Sequence, residues 1–294
     1  MSIRMRTIAL ALFLALLGTA LAACSGPGGA EPTPTATPAA TATVEPTSTA
    51  QPTAAPEPTP SPTATPEPTP TPPPSPSPTP TPPQAAEPVT ITRADTSEKI
   101  VALTFDAGAD AGYVDQILDT LAHEGIHATF GMTGVWAEQY PDAVRRIVAE
   151  GHQMINHTYD HPSFTGFSTN QPPLSREERI ATLQHTEDVI RQIVDYDMRP
   201  YFRPPYGDYD DSVMVDIAEA GYTVNVLWSV DSLGWKGLTA QEIADRCVSM
   251  TEPGGIILMH VGSQSQDAAA LPDIIARLRA DGYRFVTIKD MVGR

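Results

Sequence analysis

The feature of this sequence that most constrains its fold lies between about residues 99 and 290. There, continuous apolar runs alternate with segments whose apolar residues recur at helical spacing. Residues 100–105 form a continuous apolar run, and the apolar residues that follow, from Val114 to Leu121, recur at three- and four-residue spacing. This pattern indicates a buried strand followed by an amphipathic helix. It recurs about seven times, which predicts parallel strands joined by helical crossovers, in an open sheet or a closed barrel.

The predicted elements cover most of this region. Apolar and β-branched runs predict strands at residues 100–105, 126–132, 153–156, 222–230, 255–259 and 284–288, with a short one before Arg203. Apolar periodicity predicts helices from Val114, from Pro141, and at residues 240–249 and 274–278. A capping box of Ser175 and Glu178 predicts the start of a long helix that ends near Val194.

Polar motifs follow five of the predicted strands, each at the point where the strand ends. They are Asp106-Ala-Gly108, His157 with His161, Arg203-Pro-Pro-Tyr-Gly207, Asp231-Ser-Leu-Gly-Trp235 and Leu258-Met-His260. Parallel strands gather such ends into one pocket, and their spread over several strands favours a barrel, because an open sheet concentrates its site at one switch point. Carboxylates, paired histidines and an arginine together are typical of a metal-assisted hydrolase.

Asp106 follows a buried strand and stands just before Gly108, where the chain must turn. It has two interpretations, the N-cap of the next helix or a general base beside a bound metal. The paired histidines favour the base. His157 and His161 are four residues apart, a spacing that lets two imidazoles share one metal on a helical turn, although surface histidines show it as well.

Arg203 precedes two prolines, so its backbone is extended and stiff. A guanidinium held in this way can clamp a carboxylate and keep it ionised, and we expect Asp106 to be that partner rather than a surface carboxylate. We also expect Asp231 and His260 to pair. The carboxylate would raise the pKa of the histidine, which could then donate a proton to a leaving nitrogen.

The five motifs, in this order, resemble those of the polysaccharide deacetylases of the NodB-homology type, carbohydrate esterase family four. The resemblance extends over about residues 99–289. It implies a distorted (β/α)7-type barrel that hydrolyses N-acetyl groups of amino sugars in a cell-wall or extracellular polysaccharide. It also implies a divalent metal cofactor, commonly zinc, with cobalt or another divalent ion as alternatives.

The resemblance also implies a role for most of the motif residues. It makes Asp106 the base, Arg203 the residue that orients this base, His260 the acid and Asp231 the residue that tunes the acid. His157 and His161 become metal ligands. The backbone N–H of Tyr206 would bind the oxyanion, and Trp235 and Leu258 would line the pocket for the acetyl methyl group.

The sequence departs from the family pattern at two positions. Ala107 stands where the family usually has a second aspartate that binds the metal, and alanine has no donor atom. We expect Asp110 to reach back as the third ligand, because catalytic zinc sites normally have three protein ligands; the alternative for Asp110 is helix capping. Gly234 stands where an aspartate often precedes the tryptophan, which affects substrate contacts there.

Residues 1–23 have the pattern of a lipoprotein signal peptide. Arg4 and Arg6 precede an apolar run, and small residues lead up to Cys24. A plain transmembrane helix is less favoured, because the run falls short of about 18–20 apolar residues. We therefore predict lipid on Cys24 and an extracytoplasmic, membrane-anchored protein at the cell surface. Cys247 then has no partner for an intramolecular disulfide, and we expect it in the core.

Residues 24–88 consist largely of Pro, Thr, Ala and Ser, which predicts a disordered linker before a catalytic domain at residues 89–294. The chain has 35 Asp and Glu residues against 18 Lys and Arg, a formal net charge of −17. This balance argues against nucleic acid as a partner, because phosphate binding needs positive charge. An N-acetylated glycan is the expected partner, and we expect a monomer.

The sequence thus predicts a metal-dependent polysaccharide N-deacetylase, an enzyme that hydrolyses non-peptide carbon–nitrogen bonds. One alternative is a metal-poor hydrolase of another amide on the same fold. The other is a catalytically degenerate glycan-binding domain on a stalk. Asp106, Asp231 and His260 argue against the binding domain, because binding alone needs no acid–base pair.

Overall fold

The strands of this protein pair in parallel, as the alternation of strand and helix predicts. The structure, a computed structural model, describes residues 87–293. Its strands are β1 (Val89–Ile91), β2 (Ile100–Ala107), β3 (Thr129–Met132), β4 (Gln153–Asn156), β5 (Tyr201–Phe202), β6 (Val224–Val226), β7 (Val230–Asp231), β8 (Gly255–His260) and β9 (Arg284–Phe285). Their order in the sheet is β1-β6-β5-β4-β3-β2-β8-β7, and β9 pairs with β2.

Helices follow most of the strands. They are α1 (Val114–Glu124), α2 (Gly134–Gln139), α3 (Pro141–Ala149), α4 (Arg176–Val194), α5 (Asp211–Glu219), α6 (Ala240–Met250), α7 (Asp267–Ala280) and α8 (Ile288–Val292). The predicted capping box of α4 is present, with Ser175 and Glu178 each bonded to the other's backbone. Pro141 occupies the first turn of α3, where its missing N–H costs no hydrogen bond.

The sheet is curled, and a short connection shows how strongly. β6 and β7 are six steps apart in the sheet order, which in a flat sheet would separate them by about 29 Å. Residues 227–229 alone join them, and four Cα–Cα steps span at most about 14 Å. The two ends of the sheet must therefore approach each other, which gives the distorted barrel that the sequence predicts.

This connection corrects the single strand predicted at residues 222–230. The backbone N–H of Leu227 donates to the carbonyl of Ile91 at 2.8 Å, whereas that of Ser229 donates to the carbonyl of Ile256 at 3.0 Å. The chain thus leaves β1 and joins β8 within two residues. A continuous apolar run predicts buried extended chain, but it does not show which neighbour each part will pair with.

Alternate residues of β2 face two different cores, because successive side chains of a strand point to opposite faces. Val101, Leu103 and Phe105 belong to the larger core, together with the apolar side of α1. Ala102 belongs to a second core with residues of β5, β6 and β8. Thr104 and Asp106 continue the row of Ala102, so two polar side chains lie on the inner face at the end of β2.

Several sequence predictions concern residues that the structure does not describe. The signal peptide, Cys24 and the linker as far as residue 86 lie outside the described residues. Within residues 87–293, none of the helices has the length and apolar character needed to cross a membrane. Cys247 is a free, fully buried cysteine, as predicted.

Candidate active site

Asp106 lies at the centre of a row of residues that crosses three neighbouring strands. Strand register places it beside Gly131 of β3 on one side and His260 of β8 on the other. A Cβ atom at position 131 would collide with Oδ1 of Asp106, so only glycine leaves room for this carboxylate. Paired residues of parallel strands project to the same face, and Asp106 and His260 therefore share one pocket.

Arg203 holds the Asp106 carboxylate from inside the barrel. Its side chain is fully buried and its Nη1 donates to Oδ1 of Asp106 at 2.7 Å, the ion pair expected from the sequence. Nη2 donates to Thr104 Oγ1 and Nε to the carbonyl of Val226, both at 2.9 Å. The Trp228 ring lies 5.6 Å from the guanidinium carbon. A bonded, stacked guanidinium of this kind is fixed in place.

The pKa of Asp106 reflects two opposing effects. Burial alone would raise it, because a low-dielectric site disfavours the charged form. The positive charge of Arg203, helped by His157 and His260, outweighs burial and holds the pKa below its usual value. The carboxylate is therefore ionised at neutral pH.

His157 lies against this carboxylate. Its Nδ1–H donates to the carbonyl of Arg203 at 2.8 Å, which leaves Nε2 without a proton in the neutral ring, 3.5 Å from Oδ2 of Asp106. The ring of His161 meets it edge-on, with centroids 4.9 Å apart. Burial lowers the pKa of both rings, that of His161 to about 4. Both imidazoles are neutral at pH 7.

The histidine pair lies on a tight turn and not on the helical turn predicted from its spacing. Thr158 and His161 have positive φ angles of 70° and 63°, unusual for residues other than glycine. Asn156 Oδ1 accepts the N–H of Thr158 at 2.9 Å, and Thr158 Oγ1 accepts that of His161 at 3.1 Å. Asn156 is itself held by the buried hydroxyl of Tyr222, which donates to Glu187.

The donor atoms near the histidines do not complete a three-ligand metal site. Ala107 is buried and has no donor, as the sequence indicates. Asp110, expected as the replacement ligand, instead accepts the N–H of Ser263 at 2.8 Å and its hydroxyl at 2.5 Å. In the part of the chain that the structure describes, no three His, Cys, Asp or Glu side chains form a group that could hold a metal.

The alternative interpretation of Asp110, a helix cap, is wrong. The residue at the N-cap of α1 is Tyr113, and among the described residues no side chain caps this helix. Asp110 instead ties the loop after β2 to the loop after β8, and its carbonyl also accepts the indole N–H of Trp136 at 2.8 Å.

His260, at the end of β8, lies opposite the histidine pair. Burial alone would lower its pKa, but the nearby carboxylates outweigh burial and raise the pKa above its usual value. The ring lies near Asp267, a fully buried residue at the start of α7, with 3.8 Å between Nδ1 and Oδ2. The sequence prediction missed Asp267, because an acidic residue that opens an apolar helix looks like an ordinary helix start.

The predicted pair of Asp231 and His260 is not formed by direct contact. Among the described residues, Asp267 supplies the carboxylate within 4.0 Å of the His260 ring. Asp231 accepts the N–H of Leu233 at 2.8 Å and the indole N–H of Trp235 at 3.3 Å. It still acts on His260 through its charge.

The residues expected to bind substrate lie around the same strand ends. Tyr206 has a φ of 62° in the short turn Pro205–Gly207, and its half-exposed ring lies 4.6 Å from that of His161. Trp235 is 54% exposed. Leu258 is buried two residues before His260, on the same face of β8, with Asp231 as its partner in register.

Comparisons with known proteins show which family this chain resembles. A sequence profile of polysaccharide deacetylases matches residues 93–225. The chain is 36% identical over 194 residues to a peptidoglycan-N-acetylglucosamine deacetylase of Bacillus cereus, which covers 65% of this chain and 67% of that protein. It is 32% identical over 201 residues to PdaA of Bacillus subtilis, a peptidoglycan-N-acetylmuramic acid deacetylase, covering 67% and 73%.

A solved structure shows the same fold. It is the crystal structure of the peptidoglycan N-acetylglucosamine deacetylase Bc1960 in complex with a naphthyl-substituted N-hydroxybenzamide. The two structures align with a TM-score of 0.63 at 33% sequence identity, over 69% of this chain and 92% of the other.

Proposed function

This chain belongs to the polysaccharide deacetylase family, and we propose that it removes acetyl groups from N-acetylated amino sugars of peptidoglycan. One observation carries the proposal: an ionised carboxylate, Asp106, and a histidine of raised pKa, His260, lie side by side on paired strands. Opposite pKa shifts of this kind separate a base from an acid at one pH. The names of the two Bacillus relatives support peptidoglycan as the substrate class.

Asp106 serves as the general base. The carboxylate takes a proton from a water molecule as the water oxygen attacks the acetyl carbonyl carbon, and a new C–O bond forms. Arg203 fixes one carboxylate oxygen, Oδ1, and so leaves Oδ2 to face the water. General base catalysis of this kind contributes about 10²–10⁴ to the rate.

His260 serves as the general acid. It donates a proton to the amide nitrogen as the C–N bond breaks, and acetate and the free amine of the sugar leave. The raised pKa of His260 keeps it protonated over more of the neutral range, which this step requires. The backbone N–H of Tyr206 would stabilise the oxyanion, and Trp235 and Leu258 would enclose the methyl group. Three contacts support that assignment: the ring of Tyr206 lies against His161, Trp235 donates to Asp231, and Leu258 pairs with Asp231 in register.

We also propose that His157 and His161 bind a metal ion, with low affinity. A bound divalent cation such as zinc or cobalt would lower the pKa of water and so favour hydroxide. Two neutral imidazoles support binding, but catalytic zinc normally has three protein ligands, and Ala107 and Asp110 supply none here. The residues present therefore fit such a cation incompletely, and the proton transfers above rest on the chain's own groups.

An acetate-release assay tests the function. Purified protein is incubated with peptidoglycan, chitin oligomers and an acetylated exopolysaccharide, with zinc, with cobalt and with chelator. Release of acetate from peptidoglycan is the expected result. Glycan binding without acetate release from any polymer would instead indicate a binding domain, and neither binding nor release would favour the hydrolase of another amide.

We also propose that the protein is a monomeric, membrane-anchored lipoprotein in which a Pro/Thr-rich linker, residues 24–88, precedes the catalytic domain. The support is the sequence of residues 1–88, with its signal-like start and Pro/Thr-rich stretch. Metabolic labelling with a fatty acid tests the anchor. Label should enter the natural protein and the variant Cys247→Ala but not Cys24→Ala, and equal labelling of all three would contradict the proposal. Light scattering tests the monomer.

A further inference from the structure

Asp267 is a buried carboxylate that the catalytic steps above leave without a role. It has no exposed surface, and one of its oxygens, Oδ2, accepts the backbone N–H of His260 at 2.8 Å. Its other oxygen, Oδ1, has no hydrogen-bond partner among residues 87–293. A buried carboxylate oxygen without a donor is costly, because it has lost its water and gained nothing in return.

The ring of His260 has a matching unsatisfied atom. Its Nδ1 is buried, has no hydrogen-bond partner and lies 3.8 Å from Oδ2 of Asp267. The buried Nδ1 thus lies slightly beyond bonding distance from Oδ2, an oxygen that already accepts the N–H of His260 and keeps a lone pair for a second hydrogen bond. Catalytic hydrogen bonds are often long in a ligand-free site and shorten when substrate binds.

The surroundings of Asp267 leave space for a carboxylate and for little else. A Cβ atom at Gly234 would lie 2.8 Å from Oδ1 of Asp267 and would collide with the hydroxyl of Ser265. Ser265 in turn accepts the N–H of Asp267 at 3.2 Å and fixes the start of α7. The absence of a side chain at position 234 therefore lets α7 bring its first carboxylate up to His260.

Asp231 does not take this place: among the described residues, none of its oxygens lies within 4.0 Å of a ring nitrogen of His260, and they accept the N–H groups of Leu233 and Trp235. We propose that Asp267 is the positioning residue of the acid: it accepts the Nδ1 proton of His260, which fixes the ring and directs Nε2–H at the leaving nitrogen. This inference rests on the proposed function. During the step the Nε2 proton moves to nitrogen as the C–N bond breaks, and Nδ1–H stays bonded to Asp267.

The test compares Asp267→Asn with Asp231→Asn, and uses Asp273→Asn, an exposed site on the same helix, as the control. Asparagine keeps the size of the side chain and an oxygen for the N–H of His260. We expect Asp267→Asn to lower kcat by about 10²-fold with little change in KM, because it disables the acid. Asp231→Asn should have a smaller effect, and Asp273→Asn none.

The pH profile of kcat/KM separates positioning from loss of fold. The titratable groups around His260 are three carboxylates, Asp267 on α7, Asp106 on β2 and Asp231 on β7, and the neutral histidine pair. Loss of the nearest carboxylate should move the upper limb of the profile to lower pH by about one unit. An unchanged upper limb in active, folded Asp267→Asn would overturn the proposal.

Nitrogen NMR of histidine-labelled natural protein, without substrate, gives an answer that needs no variant. A bond to Asp267 requires that neutral His260 carry its proton on Nδ1 and leave Nε2 bare. A neutral ring with a bare Nδ1 would overturn the proposal, even if Asp267→Asn fails to fold. Failure of the proposed function would look different: acetate release would be absent while the NMR signature of the Nδ1 proton remained.

Discussion

Gly131 lies directly beside the carboxylate of Asp106, paired with it in register, and gives that carboxylate the space it occupies. We predict that Gly131→Ala lowers kcat at least tenfold, because the new methyl group must displace Oδ1 from its bond with Arg203. A useful contrast is Gly125→Ala, where no atom lies within 4 Å of the new Cβ but φ is +61°. That variant should lose stability without loss of kcat, as thermal melting and acetate assays would show.

Removal of the base or the acid should stop the reaction without unfolding the protein. We predict that Asp106→Asn and His260→Ala each lower kcat by about 10²–10⁴, the contribution of a positioned proton-transfer group. The acetate assay measures the loss, and circular dichroism checks the fold. Full activity in either variant would contradict the assignment of base and acid.

The lower limb of the pH–activity profile should depend on Arg203, because the charge of this residue lowers the pKa of Asp106. Asp106 works as an anion, so activity falls as pH drops through its pKa, which Arg203 holds low. In Arg203→Met burial is no longer offset by this charge, and the lower limb of the kcat/KM profile should move to higher pH by about 1–3 units. Arg203→Lys, which keeps a charge, should shift it less. If the natural protein, Arg203→Met and Arg203→Lys had the same profile, a group other than Asp106 would determine the lower limb.

Stability at acidic pH should depend on His152, away from the active site. Its ring is buried, its Nδ1 accepts the N–H of Ala128 at 3.1 Å, and burial lowers its pKa to about 4. Between its usual value of 6.5 and about 4, the unfolded chain binds a proton at this residue that the folded protein excludes. The free energy of unfolding should therefore fall as pH drops through this window.

The variant His152→Asn tests that dependence, because its amide oxygen can accept the same N–H. Urea unfolding between pH 7 and pH 4 should show a smaller fall in the free energy of unfolding than in the natural protein. A fall of the same size in both proteins would assign the effect to other groups.

Metal binding should depend on the histidine pair and not on Asp110. We predict weak zinc binding by calorimetry that is lost in His161→Gln and unchanged in Asp110→Ala, because the Asp110 carboxylate is already bonded to Ser263. Lower zinc affinity in Asp110→Ala would mean that this side chain turns to the histidines when metal is present. Activity after chelation then shows whether the cation is needed.

Capping residues and a helix-starting proline predicted where two of the helices begin. The capping box at Ser175 located the start of α4, and Pro141 located that of α3. Helices α2, α5 and α8 were missed, although Asp210 caps α5 by accepting the N–H of Val213 at 2.9 Å. The strand predicted at residues 284–288 is only Arg284–Phe285, and α8 begins at Ile288. One cap without a long apolar periodicity is a weak signal.

The part of the candidate site that the sequence predicted is the ion pair between an arginine and a carboxylate. A stiffly held arginine needs a carboxylate, and Arg203 does bind Asp106. Asp110 and Asp267 were not predictable in this way, because carboxylates have many possible partners. Their contacts, with Ser263 and His260, depend on how the loops after β2 and β8 meet, and this is a property of the folded sheet.

The three-residue connection between β6 and β7 limits how far the two ends of the curled sheet can move apart. On one side of it, the carbonyl of Val226 holds Arg203, the partner of the base. On the other side, β7 pairs with β8, the strand that ends in the acid. Residues 227–229 thus keep the two ends of the sheet together. An insertion there would let the end that holds Arg203 move away from Asp106, while base and acid stayed paired on β2 and β8.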